Sequence, residues 1–150
     1  MGIKTDIGLL DMDFQASAAA LLGKLREDPD WKDAGYRPIV VETRRDLPTQ
    51  MAYYSRGRME PKDVVAMFAA AGLWKLTDAE ARKPTTWTLK SKHLEGKALD
   101  LAPSKNGYTP DWNAPRPIWE RIGHYARELG LEWGGDWSAF QDLPHVEVKE

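Results

Sequence analysis

The residues in this chain best suited to chemistry are His93, Asp100, Asp142 and His145. With no cysteine and three histidines, any transition metal must be held by imidazole and carboxylate groups. Two histidines and one carboxylate form the ligand set of an open zinc site, with a fourth position left for the reacting water. Asp100 follows His93 by seven residues across Gly96, a spacing that suits a turn bringing two neighbouring backbone segments to one ion. His145 would come from a closing strand. Spacing alone leaves the set open, because a lone histidine is as readily a surface or core residue and Asp100 as readily a turn or cap carboxylate.

Composition narrows the classes. At 150 residues the chain has the length of one domain able to bury a core. A charged fraction of 29% and a hydrophobic fraction of 42% are those of an ordinary globular protein rather than a disordered or fibrous one. The formal charge of −2 supplies no basic field for nonspecific nucleic-acid binding. Neither a secretory leader nor an apolar run near the roughly 20 residues of a membrane span is expected. Seven tryptophans are many for this length, with some expected in the core and others free to line a groove.

The elements that must position these residues follow from periodicity and punctuation. Residues 14–27 carry an apolar stripe of Phe14, Ala18, Leu21, Leu22 and Leu25, expected to be helical and ended at Asp28-Pro29-Asp30. Tyr36 to Glu42 reads as a strand around Ile39-Val40-Val41. Short helices are expected over Thr49–Arg56, with Asp46 or Thr49 as N-cap and Gly57 as C-cap, and over Pro61–Ala71 up to Gly72. Leu73 to Pro84 reads as an irregular loop. Thr85–Leu89 and Lys97–Ala102 read as strands flanking the His93 turn, and Pro103 to Pro117 as a long loop. A last helix, Ile118–Leu129, a strand Leu131–Trp133, a Gly134-Gly135 turn and a closing strand His145–Lys149 complete the chain.

Ser91-x-His93-x-x-Gly96-x-Ala98-x-Asp100 resembles, at each fixed position, the motif of the zinc D-Ala-D-Ala carboxypeptidases, a family that includes the L-alanyl-D-glutamate endopeptidases of phage endolysins. Trp133-Gly-Gly-Asp136-Trp137 and Asp142-x-Pro144-His145-x-Glu147 resemble the second motif of the endolysin branch, with Val146 in place of the usual Phe. Arg45-x-x-x-x-Gln50-x-x-Tyr53-Tyr54-x-x-Gly57-Arg58 is similar to a third stretch, with Asp46 for Ser and Tyr53 for Leu.

The resemblance implies an α+β fold, helices packed on a small, mainly antiparallel sheet as in the Hedgehog and D,D-peptidase fold, as a single catalytic domain without a separate wall-binding module. It implies Zn2+ as cofactor on His93, Asp100 and His145, and Asp142 as the general base. Glu147 is placed to orient the His145 imidazole. Arg45, with Arg44 as the alternative, would stabilise negative charge on the carbonyl oxygen and hold substrate. Ser91 and Gln50 would contact substrate. His124 matches no motif position, and Trp133, Trp137 and Tyr54 are expected to pack around the site.

The function implied is hydrolysis of the L-alanyl-D-glutamate bond in peptidoglycan stem peptides by a monomer. Its partner would be the stem peptide, with no nucleic acid and no membrane span. Such an enzyme would be made in a host cytoplasm and act on the cell wall after release. D,D- or L,D-carboxypeptidase activity on D-Ala-terminated peptides is the alternative, and a non-catalytic wall-binding module the reading from another class.

Overall fold

Phe14, Ala18, Leu21, Leu22 and Leu25 form the buried stripe of helix α1, Met12–Glu27, in the computed structural model, which describes residues 2–150. Asp28 ends α1 and also caps the next helix. Its carboxylate accepts from the Trp31 amide at 3.0 Å, and Pro29 opens α2, Pro29–Ala34, where its missing N–H costs nothing. The expected break at Pro29 is therefore a junction between two helices.

Four strands make one antiparallel sheet in the order β1-β2-β4-β3: β1 Arg37–Glu42, β2 Ala98–Ser104, β3 Leu131–Trp133 and β4 His145–Val148. Alternation along the strands divides the sheet into two faces. Leu99 and Leu101 of β2 and Val146 and Val148 of β4 join α1 and helix α6, Arg116–Glu128, in the main core. Asp100, His145 and Glu147 take the intervening positions and face the other way. The period of two that fills the core thus delivers the polar set to the open face.

Helices α3 (Leu47–Ser55), α4 (Pro61–Ala70) and α5 (Asp78–Arg82) pack a smaller cluster of Ala52, Val64, Phe68, Ala71, Leu76 and Ala81 beside that face. Asp46 caps α3 through the Thr49 amide at 2.9 Å, and Gly57 lies one residue beyond the cap position, Arg56. No helix among the described residues is long and apolar enough to cross a membrane.

Three expectations are corrected. Residues 85–89 form no strand but an irregular segment along the cleft, because their β-forming Thr and Trp residues find no neighbouring strand to pair with. The stretch expected as a loop from Leu73 to Pro84 contains α5, started by a reciprocal capping box in which Thr77 Oγ1 accepts from Glu80 N and Glu80 Oε1 from Thr77 N. The long loop expected from Pro103 shrinks at both ends, since β2 runs to Ser104 and α6 starts at Arg116 with Pro117 in its first turn.

Candidate active site

Asp100 and His145 are direct cross-strand partners on β2 and β4, which brings their side chains together on the open face. His93 reaches the same point from the turn that leads into β2. Gly96 permits that turn with φ +70°, and a Cβ there would sit 2.8 Å from the Asp11 amide, which donates to the Gly96 carbonyl. One ligand atom from each of His93, Asp100 and His145 lies within 4.8 Å of the others. Asp100 Oδ1 is 3.3 Å from His93 Nε2 and 3.2 Å from His145 Nδ1.

Each imidazole is held by its far nitrogen. His93 Nδ1 lies 2.7 Å from the Thr43 carbonyl, an acceptor only, so Nδ1 carries the proton and Nε2 keeps its lone pair. His93 Nε2 is buried and has no hydrogen-bond partner, a costly arrangement unless something else occupies that lone pair. His145 Nε2 lies 2.7 Å from Glu147 Oε1, which turns Nδ1 toward Asp100. Glu147 is held in turn by Lys92 Nζ at 2.7 Å. Two lone pairs and one carboxylate oxygen converging, each backed by an outer hydrogen bond, fit a tetrahedral divalent cation with an open position.

The electrostatics agree with that fit. Burial would raise the Asp100 pKa, but the two imidazoles beside it, His145 first and then His93, hold it well below the usual carboxylate range. Burial would lower the His145 pKa, yet Asp100 and Glu147 push it up to about 10. Glu147 is driven down to about 2, burial opposing and His145 and Lys92 prevailing. The site without an ion is thus a concentrated negative charge drawing protons onto His145, a condition that a cation relieves.

Asp142 comes from the loop before β4, with Oδ2 4.0 Å from His145 Nδ1. Desolvation, then the Asp100 charge, raises its pKa, which makes it a stronger base than a free aspartate. Its backbone is fixed against the 3-10 turn Gly134–Asp136: Asp142 N donates to the Gly134 carbonyl at 3.0 Å, and a Cβ on Gly134 would approach the Asp142 carbonyl oxygen to 2.3 Å.

Arg45 lines the same cleft, whereas Arg44 is exposed and is not part of that lining. Arg45 Nε bonds both oxygens of buried Glu42 at 3.2 Å, Nη2 bonds Glu42 Oε1, and Nη1 donates to Gln50 Oε1 at 2.6 Å. The Tyr53 ring lies 4.7 Å from the guanidinium carbon. Gln50 is fully buried, with Nε2 donating to the Thr88 carbonyl at 2.7 Å, so both ends of its amide are spent. Gln50 braces Arg45 and the 86–88 segment. Ser91 Oγ accepts from the His93 amide at 3.2 Å and its hydroxyl proton remains free at the cleft edge. His124, half-exposed, pairs with Glu128 at 2.9 Å on α6, far from this chemistry in role.

The cleft measures ≈ 1120 Å³. Trp74, Trp87, Trp112 and Trp137 line it, whereas Trp31, Trp119 and Trp133 are core. Trp137 packs on His145 at 5.2 Å between centroids. Tyr54 instead stacks under Arg58 at 3.9 Å, outside the cleft lining. Two residues without a motif position prove structural to the site. Glu42 holds Arg45, and Thr43 fixes the His93 tautomer through its carbonyl. A carboxylate closing a β-branched run was a visible signal for Glu42; a backbone acceptor such as Thr43 leaves none.

Residues 84–148 match the family model described as D-alanyl-D-alanine carboxypeptidase. That match takes in the second half of the chain, including His93, Asp100, Asp142 and His145. Relatives include the L-alanyl-D-glutamate peptidase of Listeria phage A118, 43% identical over 70 residues, covering 46% of this chain and 25% of the relative. The peptidoglycan L-alanyl-D-glutamate endopeptidase CwlK of Bacillus subtilis (strain 168) is 27% identical over 121 residues, 76% of this chain and 62% of the relative. The matches thus span less than two thirds of these relatives' lengths. The crystal structure of the Serratia marcescens L-Ala D-Glu endopeptidase ChiX superposes with a TM-score of 0.51 at 21% identity, covering 96% of this chain and 84% of that one. The chain therefore shares its mixed fold with that structure.

Proposed function

We propose that the chain is a zinc-dependent peptidoglycan peptidase that hydrolyses the L-alanyl-D-glutamate bond of stem peptides and acts on the cell wall. The observation that carries this reading is the orphaned lone pair of buried His93, converging with Asp100 and His145 on the floor of a cleft beside Asp142. The choice of bond draws its support from the relatives named for it.

His93 Nε2, Asp100 Oδ1 and His145 Nδ1 would hold the zinc ion. When bound, zinc supplies the Lewis acidity that polarises a peptide carbonyl and lowers the pKa of water. Asp142 takes a proton from the attacking water as its oxygen bonds to the carbonyl carbon. The raised pKa of Asp142 suits that task, and the same carboxyl then returns the proton to the D-Glu nitrogen as the C–N bond breaks. Arg45 keeps one free N–H on each terminal nitrogen, enough to stabilise the charge that develops on the carbonyl oxygen. Glu42 and Gln50 hold that guanidinium without competing for those two protons. Ser91 offers its hydroxyl to the substrate backbone at the cleft edge.

Mass spectrometry of purified muropeptides digested by the zinc-loaded protein tests this. A new free amine on D-Glu, with L-Ala left on the muramoyl side, is the expected product. Loss of terminal D-Ala instead would assign the carboxypeptidase activity, and intact muropeptides would favour a binding module.

A further inference from the structure

Arg56, at the end of α3, is 8% exposed and lines the cleft, yet no carboxylate among the described residues lies within ion-pair distance of it. A guanidinium carries five N–H donors. Arg56 spends only the one on Nε, which donates to the Glu80 carbonyl at 2.9 Å and secures α5. Glu80, the acid whose charge acts on Arg56, has its carboxylate engaged with the Thr77 amide. Arg45 shows the contrast, with the Glu42 carboxylate on Nε and Nη2 and the Gln50 amide oxygen on Nη1. Burying a cation without a counter-charge is costly, and desolvation lowers the Arg56 pKa accordingly. A helix-capping role accounts for Nε but leaves both terminal nitrogens without a protein partner among the described residues, within reach of solvent and of a ligand in the cleft.

Arg56 lines the same cleft as His93, Asp100 and His145, and Tyr53, whose ring lies 4.7 Å from the Arg45 guanidinium carbon, lines it too.

We infer that Arg56 is an anchor for a substrate carboxylate on the D-Glu side of the cleaved bond, which makes its part of the cleft the leaving-group subsite. The inference rests on the stem-peptide reading above. On the other side of that bond the peptide ends after one alanine, amide-linked to the sugar's lactyl group, with no free carboxylate. The carboxylates all belong to D-Glu and the residues after it. Two sources share this chemistry, the α-carboxylate of γ-linked D-Glu and the carboxylate at the peptide C-terminus, and both are suited to a bidentate guanidinium.

Calorimetric titration of three peptides distinguishes them: N-acetyl-L-Ala-γ-D-Glu-L-Lys-D-Ala, the same peptide with its D-Glu α-carboxylate amidated, and the same with its C-terminus amidated. The zinc-loaded Asp142→Asn protein serves for binding, so that peptide is not consumed. One amidation is expected to weaken binding about tenfold or more, a charge-assisted hydrogen bond's worth, and the sensitive position names the source. Arg56→Gln removes that discrimination, whereas Arg56→Lys, which keeps the charge, retains part of it. Equal binding of all three peptides, binding of none, or discrimination that survives in Arg56→Gln overturns the inference. Product analysis with the Asp142 protein separates the two readings: cleavage at another bond sinks the stem-peptide assignment while the amide series still reports on Arg56.

Discussion

Glu42 on β1 is the cross-strand partner of Asp100 on β2, and a register irregularity just before it turns its carboxylate onto Arg45. One strand position thus sets the arginine beside His93, Asp100 and His145. Glu42→Gln keeps the shape but removes the charge, leaving Arg45 free to swing. Activity on muropeptides is expected to fall about ten- to a hundredfold, most of it in kcat, with zinc content unchanged. A kcat at the parental value would show that Arg45 needs no such partner.

Asp142 reaches the ligand set from a loop, not from the sheet, so its removal spares the metal. Asp142→Asn is expected to lower muropeptide hydrolysis by about 10²–10⁴-fold while bound zinc per chain stays the same. Elemental analysis beside the rate assay separates these. Loss of zinc in that variant would move Asp142 into the ligand set.

Glu147 acts through His145. Without it the imidazole loses the hydrogen bond that points Nδ1 at Asp100, and Lys92 loses its carboxylate partner. Glu147→Gln is expected to weaken zinc affinity by about 10–100-fold, read by competition with a chromogenic chelator. An unchanged affinity would assign Glu147 to Lys92 alone.

Gly123 lies in the middle of α6, where alanine ordinarily stabilises a helix by about 1 kcal/mol. Here a Cβ would come within 2.2 Å of the buried Trp133 ring. Gly123→Ala is therefore expected to destabilise the fold by about 2–3 kcal/mol, measured by urea denaturation. The sign of the change decides whether α6 packs this closely on β3.

Away from the cleft, Asp28 should add to the acid sensitivity that the depressed Asp100 and Glu147 carboxylates already give the fold. Burial would raise its pKa, but hydrogen bonds from Tyr125, the Trp31 amide and Arg121 outweigh it, so the folded-state pKa lies below the ordinary value. A depressed carboxylate stabilises the folded state above the unfolded pKa and loses that contribution as pH falls through the folded one. Tm should therefore drop as pH falls below about 4, and Asp28→Asn should be less stable at neutral pH yet flatter through that window. Parallel Tm curves for the two proteins would refute the assignment.

Much of the site was legible before the fold was. The resemblance to the family motifs singled out His93, Asp100, His145 and Asp142, which spacing alone left open, and the stripe of α1 and the alternation of β2 and β4 are local patterns. The same local patterns misled at residues 85–89, where β-forming residues lack a partner strand. They also hid α5, although Thr77 and Glu80 stood at capping-box spacing.

What the sequence by itself determined is the set of residue types and the faces they occupy, since periodicity and coordination chemistry act on near neighbours. Only the tertiary structure decided the rest. Glu42 over Arg45, the Thr43 carbonyl on His93, the withdrawal of Gln50 behind the cleft and the unpaired charge of Arg56 arise where segments far apart in the chain meet. Burial and hydrogen-bond satisfaction are properties of that meeting, and no run of letters carries them.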